Sequence, residues 1–248
     1  MGDYLATRGW HHIDGDQGNQ SKDPKVQEVW GKLYNAMMAC SKGQKAKDSD
    51  WQPYFEFLIE QYREALKSGK NVVLSFAIYN MFGDAEFIRK ALPGIKFVVV
   101  TVSEDLLIER VLKRSKETLE KAGTTQEECW KQDYMAEYRE RYGEEYTPER
   151  WKQMEIDGAK ELQTVKLGAG DKGITTTISN DDWASNSAIK ALNGLVGLDW
   201  EEVDSVKIAA VNMKRMESLN LDMPNGGTQD AGTGVAADLS VFVSMPVL

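Results

Sequence analysis

The chain has 248 residues, a net charge of -9 and a pI of about 4.9. This acidic balance disfavours nucleic-acid binding, because contacts with phosphate backbones need a surplus of lysine and arginine. No apolar run approaches the length of a membrane span, so we expect no membrane partner. The two cysteines, Cys40 and Cys129, show no C-x-x-C spacing, which indicates free thiols in the cytoplasm or another reducing intracellular compartment.

The first half of the chain alternates strand patterns with helix patterns. Short apolar runs predict strands at residues 10–13, 71–76 and 96–102. Capping residues, prolines and apolar spacing of three or four residues predict helices at residues 4–7, from Pro24, from Pro53, at 85–92 and from Ser103. This alternation indicates an α/β fold with a parallel sheet.

Ligands of parallel sheets bind at the carboxyl ends of the strands. That rule places Asp14-Gly15-Asp16, residues 75–79 and the turn at Ser103 along one rim. If the first strand continued, His12, Asp14 and Asp16 would share one face, an arrangement that suits a divalent metal. Because the chain has only two histidines, which are adjacent, we disfavour a dedicated transition-metal site.

The segment from residue 115 to about 165 is highly charged and rich in tyrosine and tryptophan. We interpret it as two exposed helices inserted over the rim, the second starting at Thr147-Pro148-Glu149. Its aromatic residues recur at near-helical spacing: Trp130, Tyr134, Tyr138, Tyr142, Tyr146 and Trp151. We favour the interpretation that these side chains pack the insertion against the body of the protein. The alternative is that they form a stripe that binds a partner.

The chain then returns to strand and helix patterns and ends in an extension. A strand is predicted at residues 172–179 and a helix from Asp181. The extension, residues 200–248, is expected to pack on the same domain. Within it, residues 206–213 suit strand or helix, residues 225–234 suggest a flexible loop, and residues 239–248 suggest a strand that needs a partner.

Several short patterns in the first 115 residues follow one another in a recognisable order. They are Gly9-Trp10 with residues 13–16 (IDGD), residues 48–54 (DSDWQPY), 75–78 (SFAI), 82–84 (FGD) and 97–114. Together they resemble the gluconokinase branch of the shikimate-kinase-like P-loop kinases, over less than half of the chain. The resemblance implies a three-layer parallel sheet of P-loop-kinase type across residues 1–199, with residues 115–165 as a helical insertion or lid.

The resemblance also implies a chemistry, transfer of phosphate from ATP to a gluconate-type sugar acid. Catalysis of that kind depends on holding the acceptor hydroxyl in line and neutralising the transferred charge. By the resemblance, Asp16 would hold and polarise the hydroxyl, and Asp50 and Tyr79 would contact the substrate. Asp14 would contact the substrate and lie near Mg²⁺, through water. An acidic turn after a strand is also often only a helix cap or a solvated loop.

The same resemblance assigns the ATP phosphates to two arginines on the lid side, Arg110 and Arg114, whose guanidinium groups can form bidentate hydrogen bonds. They lie one helical turn apart, so Arg114 could instead pair with Glu117 while Arg110 points into solvent.

The chain differs from this family in the residues that bind phosphate and the acid substrate. It contains no G-x-x-x-x-G-K-[ST] motif, and Gly83 stands where an arginine should hold the acid. Three hypotheses therefore stay open. In the first, the chain belongs to a kinase whose phosphate loop lies outside this sequence or is rebuilt elsewhere in it. In the second, it is a pseudokinase-like protein that binds a small molecule or a protein partner, with homo-oligomerisation possible. In the third, it is an enzyme that performs different chemistry at the same rim.

The resemblance also leaves one central strand of the sheet unfilled. We expect residues 239–248 or residues 206–211 to take that position, although Pro246 disfavours a central strand that runs to the very end of the chain.

Overall fold

The computed structural model describes residues 1–41, 43–76, 82–168, 176–181, 186–218 and 240–244. These residues fall into two compact units. Unit 1 contains the described residues of Met1–Thr101, Lys166–Met223 and Asp238–Leu248, and unit 2 contains Val102–Val165.

Unit 1 is built on a mixed five-stranded sheet. Its strands are β1 (His11–Asp14), β2 (Val72–Phe76), β3 (Ile95–Thr101), β4 (Thr176–Ser179) and β5 (Ser240–Ser244). Their spatial order is β1-β2-β5-β3-β4. The pairs β1–β2 and β3–β4 are parallel, whereas β5 is antiparallel to both of its neighbours. The predicted mixed α/β character is thus confirmed, and the sheet is parallel only in part.

Ten α-helices are described along the chain. They are α1 (Gly2–Thr7), α2 (Pro24–Ser41), α3 (Asp48–Leu66), α4 (Asp84–Ala91), α5 (Glu104–Ala122), α6 (Gln126–Trp130), α7 (Ala136–Tyr142), α8 (Pro148–Gly168), α9 (Ser187–Val196) and α10 (Ser205–Ser218). A 3₁₀ helix, Gly15–Gln20, follows β1 directly. No helix in the described part of the chain combines the length and the apolar character that crossing a membrane requires.

Helices cover both faces of the sheet, because alternate residues of each strand point to opposite sides. On one face, Leu74, Phe76 and Phe97 pack with residues of α2, α3 and α4. On the other face, Val73 and Val98 pack with residues of α1, α9 and α10. All five residues of β2 are buried, as its continuous apolar run predicts.

The helix predicted to open at Pro53 begins instead at Asp48. Two acidic residues in its first turn favour the earlier start, since carboxylates are stabilised by the positive end of the helix dipole. The tertiary structure reinforces this start, because the Trp51 ring is buried and stacks on Phe82 with ring centroids 5.6 Å apart. Pro53 is therefore accommodated inside the helix, where it donates no backbone hydrogen bond.

The C-terminal segment enters the sheet, as expected from the unfilled strand position. β5 lies between β2 and β3 and ends at Ser244, two residues before Pro246. The other candidate, residues 206–211, belongs to helix α10. The loop expected at residues 225–234 lies outside the described residues.

Unit 2 is helical and has a small core of its own. Trp130 and Trp151 are buried, with ring centroids 6.1 Å apart, and Leu119, Cys129 and Met135 pack around them. The expectation of two exposed helices was wrong, because α5 continues to Ala122 and the aromatic segment folds into α6, α7 and α8. Thr125 and Glu128 form a capping box that starts α6. The buried members of the aromatic pattern thus pack against one another, whereas Tyr134 and Tyr138 are exposed.

Candidate functional site

The part of the predicted rim formed by Asp14-Gly15-Asp16 and residues 75–76 lies at the carboxyl ends of β1 and β2, whereas Ser103 belongs to unit 2 and residues 77–79 lie outside the described residues. These strands pair in parallel, with Asp14 opposite Ser75 and His12 opposite Val73. Since Val73 belongs to the face covered by α1 and α10, the side chains of His12, Asp14 and Ser75 emerge on that face too. The site is therefore a polar cluster at the edge of an apolar layer.

His12 connects two residues that are distant in sequence. Its Nδ1 lies 2.8 Å from Asp3 Oδ1, and its Nε2 lies 2.7 Å from Ser75 Oγ. Burial lowers the pKa of His12, and the nearby Arg215 charge lowers it further, against the opposing effect of the hydrogen bond that His12 makes to Asp3. We therefore assign the neutral tautomer in which Nδ1–H donates to Asp3 and Nε2 accepts the Ser75 hydroxyl proton.

Arg215, on α10, supplies the positive charge of the cluster. Its Nη1 donates to Asp14 Oδ2 at 3.0 Å, and its Nε donates to Asp3 Oδ1 at 3.2 Å. Asn212, one helical turn earlier, donates to Asp3 Oδ2 at 2.9 Å. Burial would raise the pKa of Asp3, but the hydrogen bond from His12, the positive charge of Arg215 and the hydrogen bond from Asn212 outweigh it and hold that pKa well below its ordinary value.

The bonds from Ser75 through His12 to Asp3 follow the order of a serine-hydrolase triad. Triad chemistry also requires that the hydroxyl reach a substrate carbonyl. The Ser75 side chain belongs to a residue with 0 % of its surface exposed, in the interior of a sheet paired on both sides. In this conformation Ser75 fixes the ring of His12 and does not act as a nucleophile.

The Asp14-Gly15-Asp16 turn is held rigidly by its own hydrogen bonds and by α3. Asp14 Oδ1 accepts the backbone N–H of Asp16 at 3.0 Å, which starts the 3₁₀ helix. The hydroxyl of Tyr54 donates to the Gly15 carbonyl at 2.5 Å. Burial raises the pKa of Tyr54, and the charges of Asp16 and Asp14 raise it further, so this donor keeps its proton.

Gly15 is required by the packing around this turn. A Cβ at that position would lie 2.6 Å from the Phe76 ring and 3.1 Å from the Ser75 carbonyl oxygen. Ordinary carbon contacts are 3.5–4.0 Å, so any side chain would displace the turn from the end of β2.

The other predicted site residues that the structure describes lie on other elements. Asp50 lies in the first turn of α3, is partly buried and accepts the Ser49 hydroxyl at 3.2 Å. Arg110 and Arg114 lie on α5, in unit 2. Tyr79 lies outside the described residues. The structure thus joins Asp14 and Asp16 in one turn.

Three members of the cluster were not predicted from the sequence. Asp3, Asn212 and Arg215 meet across more than 200 residues of chain. Asn212 and Arg215 lie in or next to the segment that suited either strand or helix. The usable signal was His12 itself, because a histidine inside an apolar strand requires buried polar partners.

The cluster does not suit a magnesium ion as it stands. Mg²⁺ needs a carboxylate oxygen with lone pairs directed at the ion or its water shell. Both oxygens of Asp14 accept a hydrogen bond, one from Asp16 and one from Arg215, and the positive charge of the Arg215 guanidinium opposes a second cation at the same carboxylate. In the described part of the chain, no group of three or more histidine, cysteine, aspartate or glutamate side chains is arranged to hold a metal ion.

Comparison with known proteins identifies no relative, since no family model, curated protein or solved structure matches the chain.

Proposed function

We propose that this chain is a gluconokinase-like binding protein that holds a hydroxyl-rich small molecule, of the sugar-acid type, at the rim formed by the ends of β1 and β2. The observation that carries the proposal is that the described structure already engages both oxygens of Asp14 internally. A carboxylate bound in this way suits a rigid support for the turn better than a ligand for Mg²⁺. Asp16, next along the turn, supplies carboxylate oxygens, which are natural acceptors for ligand hydroxyl groups.

The proposal includes the finer assignment of the fold. In it, β1, β2, β3 and β4 correspond to strands of a three-layer sheet of P-loop-kinase type, and β5 takes the central position. That position would carry the phosphate loop at the carboxyl end of a parallel strand. Since β5 runs antiparallel to both neighbours, its amino end lies at the rim instead. This direction disfavours a phosphate loop at that position of the sheet.

A second candidate, an active gluconokinase-type phosphotransferase, is favoured by one observation. The turn with Asp14 and Asp16 follows α1 and β1 and lies beside the end of β2, the order that the resemblance requires. Under this candidate Asp16 polarises the acceptor hydroxyl, and Arg110 and Arg114 contact the ATP phosphates. Arg215 would have to leave Asp14 before Mg²⁺ could approach.

Calorimetric titration with gluconate, with and without Mg-ATP, separates the two candidates. We expect gluconate to bind without nucleotide, binding to be lost in Asp16→Asn, and no ADP to form. The matched control is Asp199→Asn, which removes one negative charge from an exposed position and should bind as the unsubstituted chain does. Mg-ATP-dependent phosphorylation of gluconate that Asp16→Asn abolishes would establish the second candidate, and no binding by the unsubstituted chain would contradict the first.

A further inference from the structure

β5 is the last described strand of the chain, yet it lies in the middle of the sheet. Residues 240–244 pair with residues 76–72 of β2 on one side and with residues 99–95 of β3 on the other. Each of its residues therefore has a register partner on both sides. Without β5, β2 and β3 would face each other across a gap one strand wide, with unpaired backbone groups along both edges.

Such a gap is unfavourable, because buried N–H and C=O groups without partners cost free energy and open strand edges recruit other strands. The strands on both sides of the gap, β2 and β3, end at Phe76 and Thr101, well before residue 240 leaves the ribosome. The gap is therefore a specific docking site for an extended segment with the sequence of residues 240–244.

The length of the chain allows this segment to come from another molecule. Ser218 ends α10 and Ser240 begins β5, so 21 residues separate the two elements. Fully extended, that length spans about 70 Å. A second copy of the chain can make the same register and the same backbone hydrogen bonds, because the docking segment is identical.

We propose that β5 is exchanged between two copies of this chain, each inserting residues 240–244 between β2 and β3 of the other. The inference is independent of the proposed ligand. The exchange also reaches the candidate site, because Val241 is the register partner of Ser75, whose hydroxyl binds His12. A second copy would thus complete the sheet directly beside the polar cluster.

Concentration decides between the closed monomer and the exchanged dimer. Within one molecule, the tethered residues 240–244 are present near the gap at an effective concentration of about 1 mM, and they compete there with the same residues of other molecules. Refolding at about 5 µM should therefore give closed monomer, and refolding at about 0.5 mM should give a dimer fraction about a hundredfold larger relative to monomer.

Disulfide trapping in the full chain tests the exchange. One preparation carries Val72→Cys and another carries Ser244→Cys, since these residues are register partners. The two are mixed, unfolded, refolded together at about 0.5 mM and oxidised, and the linked peptides are identified by mass spectrometry, which separates them from links to Cys40 or Cys129. The double variant in one chain measures pairing within a molecule. The matched control pairs Val72→Cys with Val243→Cys, because the register partner of Val243 is Val73 and not Val72.

If the strand is exchanged, a 72–244 disulfide should form between the two singly substituted chains at about 0.5 mM, and its yield relative to monomer should be about a hundredfold lower at about 5 µM. No 72–243 disulfide should form at either concentration. A link that forms only in the double variant would overturn the exchange, and no link in any preparation would overturn the docking itself. Light scattering of the unsubstituted chain after refolding at both concentrations gives a second test that no substitution affects. A monomer at both concentrations would contradict the proposal.

Discussion

Replacing Arg215 with glutamine tests whether the buried charges at the rim hold α10 against the sheet. The guanidinium contacts Asp3 and Asp14, and the three side chains are only 9 %, 16 % and 20 % exposed. Glutamine retains much of the length of the side chain but leaves two buried carboxylates without their cation.

The expected loss follows from the burial of these partners. Removing one member of a buried ion pair costs about 3–5 kcal/mol, because the remaining charge stays desolvated. Asp3 keeps His12 and Asn212 as donors, so the lower end of that range applies, about 3 kcal/mol. For a chain of this length, 1 kcal/mol changes the melting temperature by about 2–4 °C, which gives a decrease of about 6–12 °C.

Urea and thermal unfolding followed by circular dichroism measure this change. The control is Lys32→Gln, which removes the same charge from an exposed i,i+4 pair with Glu28, and it should leave the transition unchanged. A double-mutant cycle with Asp14→Asn should give a coupling of about 0.5–3 kcal/mol, because the two residues are in direct contact. A loss below about 1 kcal/mol in Arg215→Gln would refute the ion-pair argument.

Three further predictions concern the histidines, the turn and unit 2. Because burial lowers the pKa of His12 in the folded chain, the histidine of the unfolded chain takes up a proton at a higher pH than that of the folded chain. The free energy of unfolding should therefore be largest above the ordinary pKa of 6.5 and should decrease as the pH falls below it. Urea unfolding measured from pH 5 to 8 should show a smaller decrease in His12→Gln than in His11→Gln. An equal effect of the two substitutions would contradict the assignment of the pH dependence to His12. Gly15→Ala should destabilise the chain by about 1–3 kcal/mol through the added methyl group. Gly31→Ala, in an open helical position, should stabilise it by about 0.5–1 kcal/mol in the same unfolding assay. Trp130→Ala should cost about 3–5 kcal/mol and remove the near-ultraviolet dichroism of the unit 2 core; an unchanged spectrum would contradict that packing.

The local elements of unit 1 could largely be predicted from the sequence. The run at residues 71–76 predicted β2, and Asp23-Pro24 predicted the start of α2. These signals lie within one element, where periodicity, proline geometry and capping act between neighbours. The start of α3 was misplaced by five residues, because Pro53 is also a strong start signal and only the packing of Trp51 makes the earlier turn part of the helix.

The candidate site was predictable only in part. The turn with Asp14 and Asp16 follows a recognisable strand, so its position at the end of that strand could be predicted. The partners of that turn could not, since the choice between helix and strand for residues 206–213 depends on what the segment packs against. As a helix this segment packs Ile208 against the apolar layer that contains Val73, and it brings Arg215 to Asp14, 201 residues away.

By itself, then, the sequence determined the mixed α/β character, the buried strands and the acidic turn, because each depends on interactions between neighbouring residues. The tertiary structure alone decided that β5 runs antiparallel between β2 and β3 and that Arg215 neutralises Asp14. A strand pattern specifies an extended segment with one or two apolar faces but neither its partner nor its direction. Likewise, a charge in the sequence has no fixed partner until folding excludes water and brings two distant elements within hydrogen-bonding distance.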